Sequence, residues 1–166
     1  MNAARTIRSV LVVAVLVVLQ FVVQPLMPWR VSPDFLVMAL LYAAVRLRPG
    51  GAAVLGFGLG LATDSLALSG FGAGALAMSV VGFGASWLKA AFFADTVAIN
   101  AAFLFLGKLA YDWVYVLVLH QMGMGATLAQ LFVWSVLSAA FTAVVGVVAM
   151  AVLRPLGGGV DGDRGR

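Results

Sequence analysis

Asp64, Lys108 and Asp112 are the residues of this chain best placed to do chemistry, because each lies inside a long apolar stretch. At 100° per residue, Asn100, Lys108, Tyr111, Asp112 and Tyr115 fall on one helical arc of about 120°. A charged side chain at the centre of a bilayer costs about 2.5–3.5 kcal/mol on insertion scales, so such groups face the protein interior and pair with one another. Lys108 and Asp112 can meet one turn apart, in the less favourable order for a helix pair. Asp64 is expected to complete an intramembrane polar cluster with Asn100, Lys108 and Asp112, provided its helix lies beside theirs. Two chemistries suit such a cluster. One is a relay for protons or ions; the other, which the near balance of one Lys against two Asp favours, is a strut that fixes helix register. Asp34 reads as an interfacial end-group paired with Arg30 or Arg46.

Enzyme signatures are missing from the sequence. His120 is the single histidine, with no second His, Cys or Glu near it, so its reading is interfacial hydrogen bonding. Met122 and Met124 read as hydrophobes of an outer loop. Gly56-Phe-Gly-Leu-Gly60 lacks the spacing of a dinucleotide-binding turn, and no Ser-His-Asp, paired-carboxylate or His-Glu-x-x-His arrangement occurs. The expectation is a protein without catalytic, cofactor or metal residues and without nucleic acid as a partner.

The elements that position these residues are set by hydropathy. Of 166 residues, 64% are hydrophobic and 10% charged, against about 25% charged in soluble proteins. The longest hydrophilic stretch is the tail, residues 154–166. Apolar runs at 9–27, 34–47, 51–68, 72–91, 96–119 and 127–153 predict one all-α membrane domain over residues 1–153, a bundle of six spans. Breakers divide them: Pro25, Pro28 and Pro33, then Pro49-Gly50-Gly51, Ser69-Gly70, Ala94-Asp95 and Gly123 to Gly125. Arg5 and Arg8 ahead of an apolar run imitate a signal peptide, but no small-residue cleavage site follows, and the run reads as a retained first span.

Charge decides whether the short segment 34–47 crosses. With six spans and a cytoplasmic N-terminus, Arg5, Arg8, Arg46, Arg48, Lys89, Arg154, Arg164 and Arg166 all lie inside, and only Arg30 lies outside. If segment 34–47 does not cross, the later cations invert and the bias is lost. The positive-inside tendency therefore selects six spans with both termini cytoplasmic. Trp29 and Trp87 fall near span ends, where they would anchor at the interface or pack between helices.

Spans three and four are rich in glycine. Gly56 and Gly60 share one helix face, and Gly82 and Ser86 repeat that spacing, which lets neighbouring backbones approach closely. Tight packing inside the bundle is the favoured reading; a face for a partner's helix is the other.

These features, in this order, resemble the rod shape-determining protein MreD family. The resemblance is carried by Pro33-Asp34-Phe35-Leu36 opening the second span and Arg46 closing it. It continues through Gly56-Phe-Gly-Leu-Gly60-Leu-Ala-Thr-Asp64 and the glycine-led Gly70 to Leu76, with Gly56, Gly60 and Asp64 at the family's motif positions. It implies a fold similar to the substrate-binding subunits of energy-coupling-factor transporters. It also implies a non-enzymatic part of the bacterial cell-elongation machinery in the cytoplasmic membrane. MreC is the implied partner, with MreB, RodA and a class B penicillin-binding protein reached through the assembly during lateral peptidoglycan synthesis. The alternative is the substrate-binding subunit of a vitamin transporter, against which the short outer connections 25–33, 68–71 and 120–126 argue. An ion-coupled transporter would call for an internal repeat, and none is evident.

Overall fold

A computed structural model describes residues 3–23, 33–65, 71–92, 97–119 and 130–153. They are helical throughout apart from turns: α1 (Ala3–Val23), α2 (Phe35–Ala44), α3 (Pro49–Asp64), α4 (Ala73–Phe92), α5 (Val97–Leu119) and α6 (Ser135–Leu153). A π-helical turn, Gln130–Trp134, leads into α6. Six apolar runs thus give six helices in the expected order. Two helical stretches, Val97–Leu119 and Gln130–Ala149, are long and apolar enough to cross a membrane by length and composition; Val10–Val23, Phe35–Ala44 and Ala73–Leu88 are apolar but shorter.

The shortest segment holds the centre. Helix α2 has ten residues, about 15 Å at 1.5 Å per residue. It ends at Ala44 where the apolar run reaches Leu47, because Val45 to Leu47 close a turn onto the carbonyls of Leu41 and Ala43. Leu36, Val37, Ala39, Leu40, Leu41 and Ala44 are fully buried. The helix packs against α1, α3, α4, α5 and α6. A helix covered on every side must be apolar on every side, which is why the run Phe35-Leu-Val-Met-Ala-Leu-Leu carries no polar face.

Helix α3 starts at Pro49, whose fixed φ and missing N–H suit a first helical position. Its contact with α4 is a backbone-to-backbone seam. A Cβ on Gly56 would overlap the Met78 carbonyl, one on Gly60 would strike the backbone of Ala75, and one on Gly82 would press on the Ala52 carbonyl. Polar groups tie the same seam: Ser86 Oγ donates to the Leu47 carbonyl at 2.7 Å and Ser79 Oγ to the Ala53 carbonyl at 3.1 Å. Gly56, Gly60, Gly82 and Ser86 are therefore occupied within the bundle. Gly58 on the far side of α3 and Gly84 on the far side of α4 meet nothing within 4 Å among the described residues.

Outside, the polarity is reversed relative to a water-soluble protein. Val10, Leu11, Val18 and Val22 on α1, Val54 on α3, Leu117 on α5 and Val144 on α6 are exposed, while Lys108 and Asp64 are buried. An apolar exterior on this scale fits contact with lipid. Trp87 is 73% exposed, so it does not pack between helices of this chain.

Candidate functional site

The site grows from the start of α2. Asp34 adopts an extended conformation ahead of the helix, and its Oδ1 accepts the Val37 N–H at 3.1 Å, satisfying one of the free donors of the first turn. Its own N–H donates to Thr142 Oγ1 at 3.2 Å, reaching α6. Its second oxygen, Oδ2, accepts from Lys108 Nζ at 2.9 Å. One residue thus caps α2 and joins it to both α5 and α6. Next to it, the Phe35 N–H donates to Gln20 Oε1 at 2.8 Å, which fastens α1 to the same helix end.

Lys108, only 6% exposed, lies between two carboxylates, since Asp112 Oδ1 accepts from Nζ at 2.7 Å. The ammonium also sits 4.8 Å from the Tyr111 ring centroid, and Tyr111 stacks on Tyr115 with centroids 5.8 Å apart. The i, i+4 spacing along α5 puts Lys108 against Asp112 and Tyr111 against Tyr115. A cavity of about 260 Å³ opens beside this group. Its described lining includes Gln20, Asp34, Lys108, Tyr111, Asp112 and Tyr115, with Gln130 and Ser138 from the α6 side.

Two sequence expectations are corrected here. Asp34 does not pair with Arg46. That arginine is exposed, donates from Nη1 to the Tyr42 carbonyl at 3.0 Å and lays its guanidinium 3.8 Å over the Tyr42 ring. Helix α2 is so short that its first turn lies at the depth of Lys108, well away from the Arg46 end. Arg30, the other expected partner, is outside the described residues.

Asp64 does not join the Lys108 group either. It is 2% exposed at the last position of α3 and accepts three backbone N–H groups: Gly72 and Ala75 on Oδ2, both at 2.9 Å, and Gly74 on Oδ1 at 3.1 Å. These are the unpaired donors at the start of α4, where the helix dipole also favours a negative charge. The carboxylate of one helix end therefore caps the next. The approach demands glycine: a side chain on Gly74 would collide with the Asp64 carboxylate, and Gly72 has φ +98°, a left-handed conformation. Asn100 lies on α5 two turns before Lys108, about 12 Å along the axis, half-buried and apart from the ion pairs.

Thr142 and Gln20 are the members that sequence reasoning missed, and Asp34, which it singled out at the opening of the second span, was given the wrong partner. A signal existed for Asp34, because an Asp immediately before a sustained apolar run is a helix N-cap pattern. Nothing in the spacing of Gln20 or Thr142 marks them, since their partners come from other helices. Trp29, His120, Met122 and Met124 lie outside the described residues.

What the arrangement does is mechanical and electrostatic. Every buried side-chain nitrogen and oxygen among the described residues has a partner. The Lys108–Asp34 salt bridge joins α5 to α2 through groups that cannot separate without stranding a charge, and the Asp34 N–H bond to Thr142 adds α6. Among the described residues no group of three His, Cys, Asp or Glu could hold a metal ion.

A family model described as rod shape-determining protein MreD matches residues 4–156, nearly the whole chain. No curated protein and no solved structure matches. The chain is thus a member of a membrane protein family whose role is rod shape determination.

Proposed function

From the premise that this chain belongs to the MreD family, we propose that it is a non-enzymatic, multi-pass component of the cell-elongation machinery in the bacterial cytoplasmic membrane. Its work is to support lateral peptidoglycan synthesis by helix–helix association with MreC, and through that assembly with MreB, RodA and a class B penicillin-binding protein. Six crossings leave both termini in the cytoplasm, where the arginines cluster. The layout is that of a bundle similar to the substrate-binding subunits of energy-coupling-factor transporters.

The family match carries this reading. The interior supports it: the buried polar groups hold helix ends and helix pairs together, as a scaffold needs. Asp64 caps α4, Asp34 caps α2, and Lys108 is held between two carboxylates. Small faces left open at Gly58 and Gly84 let another helix approach the α3–α4 pair closely.

Isolation of the tagged chain in mild detergent tests the proposal. MreC and elongation proteins are expected among the companions. Recovery with a pair of transporter ATPases and a bound vitamin would overturn it in favour of the transport reading. Accessibility labelling that places the two termini on opposite sides of the membrane would overturn the six-span topology.

A further inference from the structure

The cavity beside Lys108 exceeds what a strut requires. A strut works best dry and closed, yet about 260 Å³ stays open against the most polar part of the interior. Among the described residues its wall carries two carboxylates, Asp34 and Asp112, against one ammonium, Lys108. That leaves one formal negative charge in excess, in surroundings where uncompensated charge is expensive. An anionic ligand would add to the excess and a neutral one would leave it standing. A cation removes it and fills the space, whereas a proton on one carboxylate removes it and leaves the space empty.

Size and lining narrow the class of cation. Bare calcium or magnesium needs a shell of oxygens at about 2.0–2.6 Å, which a space this large does not provide. The volume lies just under the range of about 300–1,000 Å³ typical of small-molecule pockets, enough for a compound of a few heavy atoms. Tyr111 and Tyr115 present stacked rings on the wall, and Tyr111 already lies close to one ammonium group. Aromatic faces beside carboxylates suit an organic ammonium.

We propose that this cavity binds a small primary-ammonium group, supplied either by a free amine or by the ethanolamine headgroup of a lipid. Asp112 supplies the unbalanced charge and Tyr115 a ring face, while Asp34 stays engaged with Lys108 and the start of α2. The binding goes beyond the scaffold role and does not depend on it. Co-isolation of MreC and occupancy of the cavity can fail independently.

The test uses the full-length chain in phosphatidylglycerol nanodiscs, followed by thermal unfolding. Ethanolamine is expected to raise the Tm saturably, whereas ethylene glycol and acetate at matched ionic strength are not. In Asp112→Asn the wall is balanced by Asp34 alone, so the fold is expected to persist while half-saturation moves up by about tenfold or more, the scale set by one lost interaction of a desolvated cation. Tyr115→Leu, which keeps all charges, is expected to weaken the response severalfold and decides the matter if Asp112→Asn does not fold. Nanodiscs containing phosphatidylethanolamine separate the sources. A raised Tm there with no further gain from ethanolamine assigns the lipid headgroup, and a saturable gain in phosphatidylglycerol alone assigns the free amine. Equal shifts from ethylene glycol, no shift in either lipid, or an unchanged response in the deciding variant would overturn the proposal.

Discussion

Lys108 Nζ donates to Asp34 Oδ2 at 2.9 Å across 74 positions of sequence, joining the middle of the fifth helix to the first turn of the second. The same ammonium holds Asp112 one turn away. Because Asp34 also caps α2 and bonds Thr142, the pair fixes the depth at which the short central helix sits among its longer neighbours.

Removing one partner of a buried ion pair strands the other, at a cost of about 3–5 kcal/mol. Lys108→Met is expected to lose stability on that scale, and Asp34→Asn with Asp112→Asn in the same chain should restore part of it. Double-mutant cycles in detergent unfolding check the wiring. Asp34 with Lys108 should show coupling of about 0.5–3 kcal/mol, whereas Asp64 with Lys108, which share no hydrogen-bond partner, should add within about 0.5 kcal/mol. Strong coupling of Asp64 to Lys108 would contradict the arrangement.

Asp64→Ala leaves three backbone donors at the start of α4 without an acceptor, and buried unsatisfied donors cost about 1–3 kcal/mol. The expected result is a lower unfolding midpoint, with faster amide exchange at Gly72, Gly74 and Ala75 than in the rest of α4. Asp64→Asn keeps one acceptor oxygen, enough for part of the set, and should be milder than Asp64→Ala.

The glycines of α3 should divide sharply. Gly60→Ala pushes a methyl into the Ala75 backbone and Gly56→Ala one into the Met78 carbonyl, so both should lower stability by about 1–3 kcal/mol through overpacking. Gly58→Ala meets open space and should be neutral or gain up to about 1 kcal/mol from helix propensity. Gly58→Ala that folds normally but loses MreC would place the partner contact on that side.

Gln20→Leu removes the acceptor for the Phe35 N–H and the tie between α1 and α2. A loss of about 1–3 kcal/mol is expected for the stranded donor. Proteolysis should then cut between α1 and α2 earlier than in the parent chain.

Much of this molecule was written in its sequence. Apolar runs broken by Pro and Gly dictated six helices in order, since a helix satisfies its own backbone groups without water. The i, i+4 spacing already brought Lys108 to Asp112, because both ends of that contact lie on one helix. The spacing of Gly56 with Gly60 and of Gly82 with Ser86 marked close-packing faces for the same reason: a helical period is local. What lay beyond the sequence was the meeting of different helices. In the sequence Asp64 lies within the run 51–68 and Asp34 opens the run 34–47, yet it is Asp64 that closes the start of α4 and Asp34 that completes the Lys108 group. The length and depth of α2 decide between them, and depth is fixed only when five neighbouring helices pack around ten residues. Partner choice for a buried charge follows from that packing, because desolvation forces the charge onto whichever donor the fold brings within reach.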